Sequence, residues 1–206
     1  MAMPIEIQIF GKTLVMKKLF PVLFLFCASG AFSQKKGMSA DETACKATVV
    51  DFYKWYKSNW KKMDAFVLYK GKKKKGMPPY IIDWKAVDRY FVFIRKNVPY
   101  LGETFISNEK NFFKETQKEF DADPEGEVPA GFDYDRFVGS QEDPKWTVDE
   151  IILYPKNKWQ VKIEGNTATV FITDMHKDAG GQKSKVGLTR ENGSWKISKC
   201  LEPIDL

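Results

Sequence analysis

A chain of 206 residues with 33 basic and 27 acidic side chains carries a formal charge of +6, and 15% of it is aromatic. The charge is too mild for a nucleic-acid binder, which concentrates a stronger basic surface. The length is that of one domain able to bury a real core, and so many aromatics build either that core or an apolar pocket.

Near the start, Lys17 and Lys18 follow Met16, an apolar run extends from Leu19 to Ala28, and small residues at Ala31 and Ser33 precede Gln34. Basic start, short apolar middle and small-residue end are the three parts of a secretory signal peptide. The run is roughly half the length of a membrane-spanning helix, so cleavage is expected rather than retention as an anchor. Leu25 and Phe26 precede Cys27 where lipoprotein processing wants small residues, so acylation there is not expected. Residues 1–15 read as an upstream extension, with the true start at Met16. The expected product is a secreted, periplasmic chain, 34–206, cleaved near Ser33 and without a transmembrane anchor. It holds 30 basic against 26 acidic residues, a charge of +4.

Cleavage would leave two cysteines, Cys45 and Cys200. An even count in an oxidising compartment predicts a disulfide tying the first helix to the last strand. On the chain-entropy model such a bridge stabilises by about 4–5 kcal/mol. The alternative is two separate buried thiols.

Ser39-x-x-Glu42 is a capping-box signal, and a helix is expected from there to about Ser58. Cys45, Val49, Phe52 and Tyr56 fall on one face of it. Gly71 and Gly76 bracket four consecutive lysines, Lys72–Lys75, and Pro78-Pro79 stops any helix before it. Asp83 is an N-cap for a second helix with Trp84, Val87, Phe91, Ile94 and Val98 at helical spacing. A third helix is expected from about Glu103 to Phe120, with Phe105, Phe112, Phe113, Thr116 and Phe120 as its stripe. A long polar connection, Asp121–Lys145, follows.

The period then changes from 3.6 to 2. Glu150–Tyr154 reads as a first strand, and Trp159, Val161 and Ile163 alternate with polar residues in the next. Gly165-Asn166 and Asn192-Gly193 are hairpin turns around Thr167–Thr173, Lys183–Arg190 and Ser194–Lys199. Helices first and an antiparallel meander after them make an α+β plan. N-terminal helices packed on a curved C-terminal sheet would be cone-like. The order resembles the fold of nuclear transport factor 2 and ketosteroid isomerase, which hosts enzymes and inert scaffolds alike.

A narrower resemblance rests on Asp133-Tyr134-Asp135-Arg136-Phe137, Gln141-Glu142-Asp143 and Trp146. These are similar to the Asp-x-Asp-Pro-Phe…Gln-Asp…Trp signature of a secreted bacterial family, domain of unknown function 3828, of the nuclear transport factor 2-like type. Val49–Tyr56 and Gly193–Ile197 resemble its first helix and closing strand. Arg136 stands where that signature has proline, and Glu142 intervenes after Gln141. The resemblance implies a cone-like fold and an export route, and no known reaction.

Five features are candidates for chemistry. Asp133, Asp135, Gln141 and Asp143, beside Trp146, Tyr56 and Trp84, could bind a sugar, amine or peptide, or serve as acid and base if burial split two carboxyl pKa values. Equally, they could cap turns and hold the loop. Asp121, Asp123 and Glu125 with Gly126 match the opening of a calcium loop, yet Phe132 stands where its bidentate glutamate belongs, so no metal or other cofactor is expected. Lys72–Lys75 could meet lipid headgroups or envelope polymers, or be a solvated mobile loop. His176 alone makes no zinc site. The aromatics, Tyr53, Phe112 and Trp195 among them, line either a core or a cavity.

The role these features favour is non-catalytic binding of a small molecule, peptide or envelope component in a cleft between helices and sheet. The alternatives are an acid–base enzyme using Asp135 or Asp143, and an interaction or inhibitor module working by an exposed surface.

Overall fold

The computed structural model describes residues 37–126, 132–177 and 181–204, all within one unit, Gly37–Leu206. The signal-like segment, Cys27 and the cleavage position lie outside the described residues.

Helix α1, Ala40–Asp64, starts on the expected capping box: the Ser39 hydroxyl accepts from Glu42 N, and the Glu42 carboxylate accepts from Ser39 N. It continues two turns beyond Ser58 because nothing in Asn59–Asp64 breaks a helix. Its apolar stripe is buried as the spacing predicts, with Cys45, Val49 and Phe52 fully inaccessible. A short hairpin follows, β1 (Tyr69–Gly71) paired antiparallel with β2 (Tyr80–Ile82), and the lysine run forms its loop. Helix α2, Trp84–Asn97, is capped by Asp83, whose carboxylate accepts from Ala86 N. Helix α3, Glu103–Ala122, has no side chain of its own at the cap. The Glu191 carboxylate arrives from the sheet and accepts from Glu103 N and Thr104 N at 2.8 and 3.0 Å.

Glu150–Tyr154 does not form the first strand. A short helix α4, Pro144–Trp146, runs into a π-helical turn, Thr147–Ile152. The apolar triplet Ile151-Ile152-Leu153 is too short for periodicity to separate strand from helix. Asn157 ends the turn by donating to the carbonyls of Ile151 and Ile152. Strands β3 (Lys158–Glu164), β4 (Thr167–Thr173), β5 (Lys183–Glu191) and β6 (Ser194–Pro203) form an antiparallel meander in sequence order. The protein is therefore α+β, with a four-stranded and a two-stranded sheet. Helix α1 lies against β3, β4 and β6, and α3 packs on β6 and β2.

Cys45 and Cys200 are both free thiols, which corrects the expected bridge. The start of α1 is tied to the start of β6: Asp41 pairs with Arg190 at 2.6 Å and accepts from the Trp195 indole. Cys45 belongs to that end. Cys200 belongs to the level of Tyr53, whose hydroxyl accepts from Leu201 N at 3.1 Å. Eight helical residues separate Cys45 from Tyr53, about 12 Å of rise, whereas a disulfide needs Cα atoms within about 7 Å. Strict alternation also fails in β6. Gly187 pairs with Lys199 and Leu188 with Ile197, so Ser198 is a bulge residue. Ile197 and Ser198 are consequently both buried, and Cys200 turns toward the core.

Candidate functional site

The interface between α1 and the large sheet is filled by Val49, Phe52, Val170, Leu188 and Ile197, none more than 1% exposed. The open volume lies elsewhere. A cavity of about 910 Å³ opens between the C-terminal half of α1, the β1–β2 hairpin and the segment 132–144, with Tyr90 of α2 behind it.

Helical spacing builds one wall. Tyr56, Trp60 and Met63 follow one another on α1 at intervals of four and three, so they share a face. The hairpin supplies Tyr69, and the loop supplies Phe132 and Phe137. Tyr56 packs on Phe137 with ring centroids 4.9 Å apart and planes tilted by 36°, and Tyr69 meets Phe132 edge-on at 4.9 Å. The indole Nε1 of Trp60 is buried and has no hydrogen-bond partner among the described residues.

Asp135 organises the loop. One carboxylate oxygen accepts from the Tyr56 hydroxyl at 2.5 Å, and the other from Phe137 N at 2.9 Å. Its backbone N–H donates to Ser140 O and its carbonyl accepts from Gly139 N, where a positive φ of 63° suits glycine. Burial raises the Asp135 pKa, opposed by the Tyr56 hydroxyl and the backbone donors, and the Asp64 carboxylate adds a further upward push. Burial, and then the Asp135 charge, push the Tyr56 hydroxyl well above the ordinary phenol range.

The structure brings together Tyr56, Asp133, Asp135 and Gln141, all lining the cavity. The Gln141 amide donates to Asp133 O at 3.3 Å. It does not bring in Asp143, Trp146 or Trp84. Asp143 caps α4, accepting from Lys145 N at 2.7 Å, while Trp146 and Trp84 are 48% and 37% exposed. The rim is electrically divided, with Lys70 and Lys75 on the hairpin and Asp64, Asp133 and Glu142 across from it. Sequence reasoning missed Tyr69 and Arg136. Trp60, which the spacing left off the helical stripe as a residue capping the core or facing a groove, sits four residues after Tyr56 and lines the cavity.

A second cavity, about 400 Å³, lies between α3, β6 and the same loop. Arg136 forms an ion pair there with Glu109 and lies 3.9 Å from the Phe112 ring centroid. Burial raises the Glu109 pKa and Arg136 opposes it. Cys200 borders this cavity, and burial holds its thiol well above the usual range, which makes it a poor nucleophile. Burial likewise lifts Cys45 to about 11.

His176 packs edge-on against Tyr154 at 5.4 Å, with Nε2 3.8 Å from the Glu150 carboxylate. Among the described residues no group of three or more His, Cys, Asp or Glu side chains is placed to hold a metal ion. In the calcium-like run, Asp121 accepts from the Gln117 amide, and Glu127 lies outside the described residues. No helix among the described residues is long and apolar enough to cross a membrane. Compared with protein-family models, curated proteins and solved structures, the chain matches none.

Proposed function

We propose that the chain is a binding protein that takes a small organic molecule or short peptide, non-catalytically, in the cavity between α1, the hairpin and the 132–144 loop. The observation that carries this reading is the cavity itself. Its volume of about 910 Å³ falls within the range of small-molecule sites, and an aromatic wall with a few polar groups converging on one side is their usual composition. We read the molecule as an exported, cone-like domain of the nuclear transport factor 2 type, akin to the family of unknown function 3828. The helix-then-meander order and the bulged closing strand support that reading.

The test is a ligand screen read by melting temperature and Trp60 fluorescence, using envelope sugars, polyamines and di- to pentapeptides. A binder gives a dose-dependent rise in melting temperature that Trp60→Ala and Tyr56→Ala abolish. A rise that both variants retain places the ligand elsewhere and refutes the reading.

Asp135 favours a second reading, acid–base catalysis, because it is a cavity carboxylate whose pKa is raised by burial. Both of its oxygens are already engaged, and that counts for a structural role. Turnover lost in Asp135→Asn with the melting temperature unchanged would favour the enzyme; unchanged turnover would remove it.

A further inference from the structure

The β1–β2 hairpin carries a charge asymmetry that the cavity does not use. Between Tyr69 and Ile82 there are five lysines and no acidic residue, and the rest of the chain is then close to neutral, with 28 basic against 27 acidic residues. Lys70 is paired with Asp83 at 2.9 Å. Lys72, Lys73, Lys74 and Lys75 are exposed and have no ion-pair partner among the described residues. Four like charges side by side repel, so a loop with no other constraint would splay.

This loop is instead closed on itself. Lys72 N donates to Pro79 O at 2.7 Å, and Met77 N to Lys74 O at 3.3 Å. The Tyr80 hydroxyl donates to Gly76 O at 3.3 Å. Gly71 packs so tightly that an added Cβ would lie 1.9 Å from Lys74 O and 2.3 Å from Met77 O. Gly76 holds the positive φ of 71° that lets the chain return. One exposed apolar side chain lies in the loop with the cations, Met77 at 47%.

We propose that this hairpin docks the protein on an anionic lipid bilayer, the four lysines meeting headgroup phosphates and Met77 entering the interfacial region. Cations alone would suit any polyanion. An exposed apolar side chain, Met77, in the same loop as the cations favours a bilayer, which offers phosphate charge and an apolar layer within one side-chain length. The closed loop presents the charges with its backbone already folded, so docking orders side chains rather than main chain. This inference is independent of the binding reading, although Lys75 and Gly76 also border the cavity, so docking would bring its mouth to the lipid surface.

The experiment is co-sedimentation of the full chain with vesicles of phosphatidylcholine alone or mixed with phosphatidylglycerol. Binding is expected only with the anionic lipid and should weaken as salt rises. Since a lysine near an anionic surface contributes roughly fivefold to partitioning, neutralising all four by Lys→Gln should reduce it by more than about tenfold. Met77→Ser should weaken it while leaving the charge intact. A control neutralising Lys54, Lys156, Lys158 and Lys183 keeps the same net charge as the hairpin variant and should bind as the wild type does. Equal loss in that control, or equal binding to phosphatidylcholine, would overturn the proposal. So would a Met77→Ser variant that binds vesicles unchanged while heparin displaces the protein, since that marks a general polyanion site.

Discussion

The two ends of α1 face opposite environments. Its N-terminal half, through Phe52, is sealed against the sheet, where polar groups are matched: the Tyr53 hydroxyl donates to Phe137 O at 2.9 Å and accepts from Leu201 N. Its C-terminal half, from Tyr56, borders open volume with a Trp60 indole that has no hydrogen-bond partner among the described residues and a rim that carries charges of both signs. The same helix thus packs on the sheet along one stretch and lines a cavity along the next.

Substitutions that truncate one residue in each half offer the sharpest break of this contrast. Phe52 is 0% exposed and lies against Tyr53, Tyr56, Tyr100 and Phe137. Phe52→Ala should cost about 3–5 kcal/mol in urea unfolding. Trp60→Ala removes a larger ring but one that already meets the cavity, so it should cost clearly less. Equal losses would mean the C-terminal half is packed as tightly as the other.

Of intermediate size is the Glu191 staple on α3. Glu191→Gln should cost about 1 kcal/mol, as loss of a helix N-terminal acceptor does. The bonds from Thr104 and Glu103, set against partial burial, leave the Glu191 pKa lowered in the fold. Its stabilisation is therefore present above the unfolded-state pKa and is lost as pH falls through the depressed folded value. The gap between wild type and variant should close in acid; a gap that is constant with pH would contradict the assignment.

Asp135 has the opposite sign and the smallest effect. A carboxyl whose pKa is raised in the fold favours the folded state in its protonated form, so its contribution falls as pH rises from the unfolded value through the folded one. Tyr56→Phe removes a bond that opposes the rise and should push the Asp135 pKa further up, read by carboxyl chemical shifts. A downward movement would show that burial is not the main cause.

Local rules made much of the scaffold legible. Ser39 with Glu42 and Asp83 are caps in the structure as in the sequence, and Gly165-Asn166 and Asn192-Gly193 close the hairpins between paired strands. What escaped depends on partners distant in sequence or on breaks in a period. Glu191 caps a helix 88 residues away, Arg136 finds Glu109 across the loop, and one extra residue at Ser198 reverses the inward face of β6 beyond it. The β1–β2 hairpin escaped because each strand is three residues long and its eight-residue loop, four lysines, Gly76, Met77 and two prolines, carries no short-turn signal. At the site, Asp135 was readable as a loop carboxylate, whereas its bond to Tyr56 was not.

Tyr134, Arg136 and Phe137 line both cavities. The strip of chain that carries them is a wall common to both, held at Asp135 and braced by Arg136 on Glu109. A shift of that strip changes the lining of both chambers at once. A guest large enough to press the wall from the hairpin side would bear directly on the ion pair behind it.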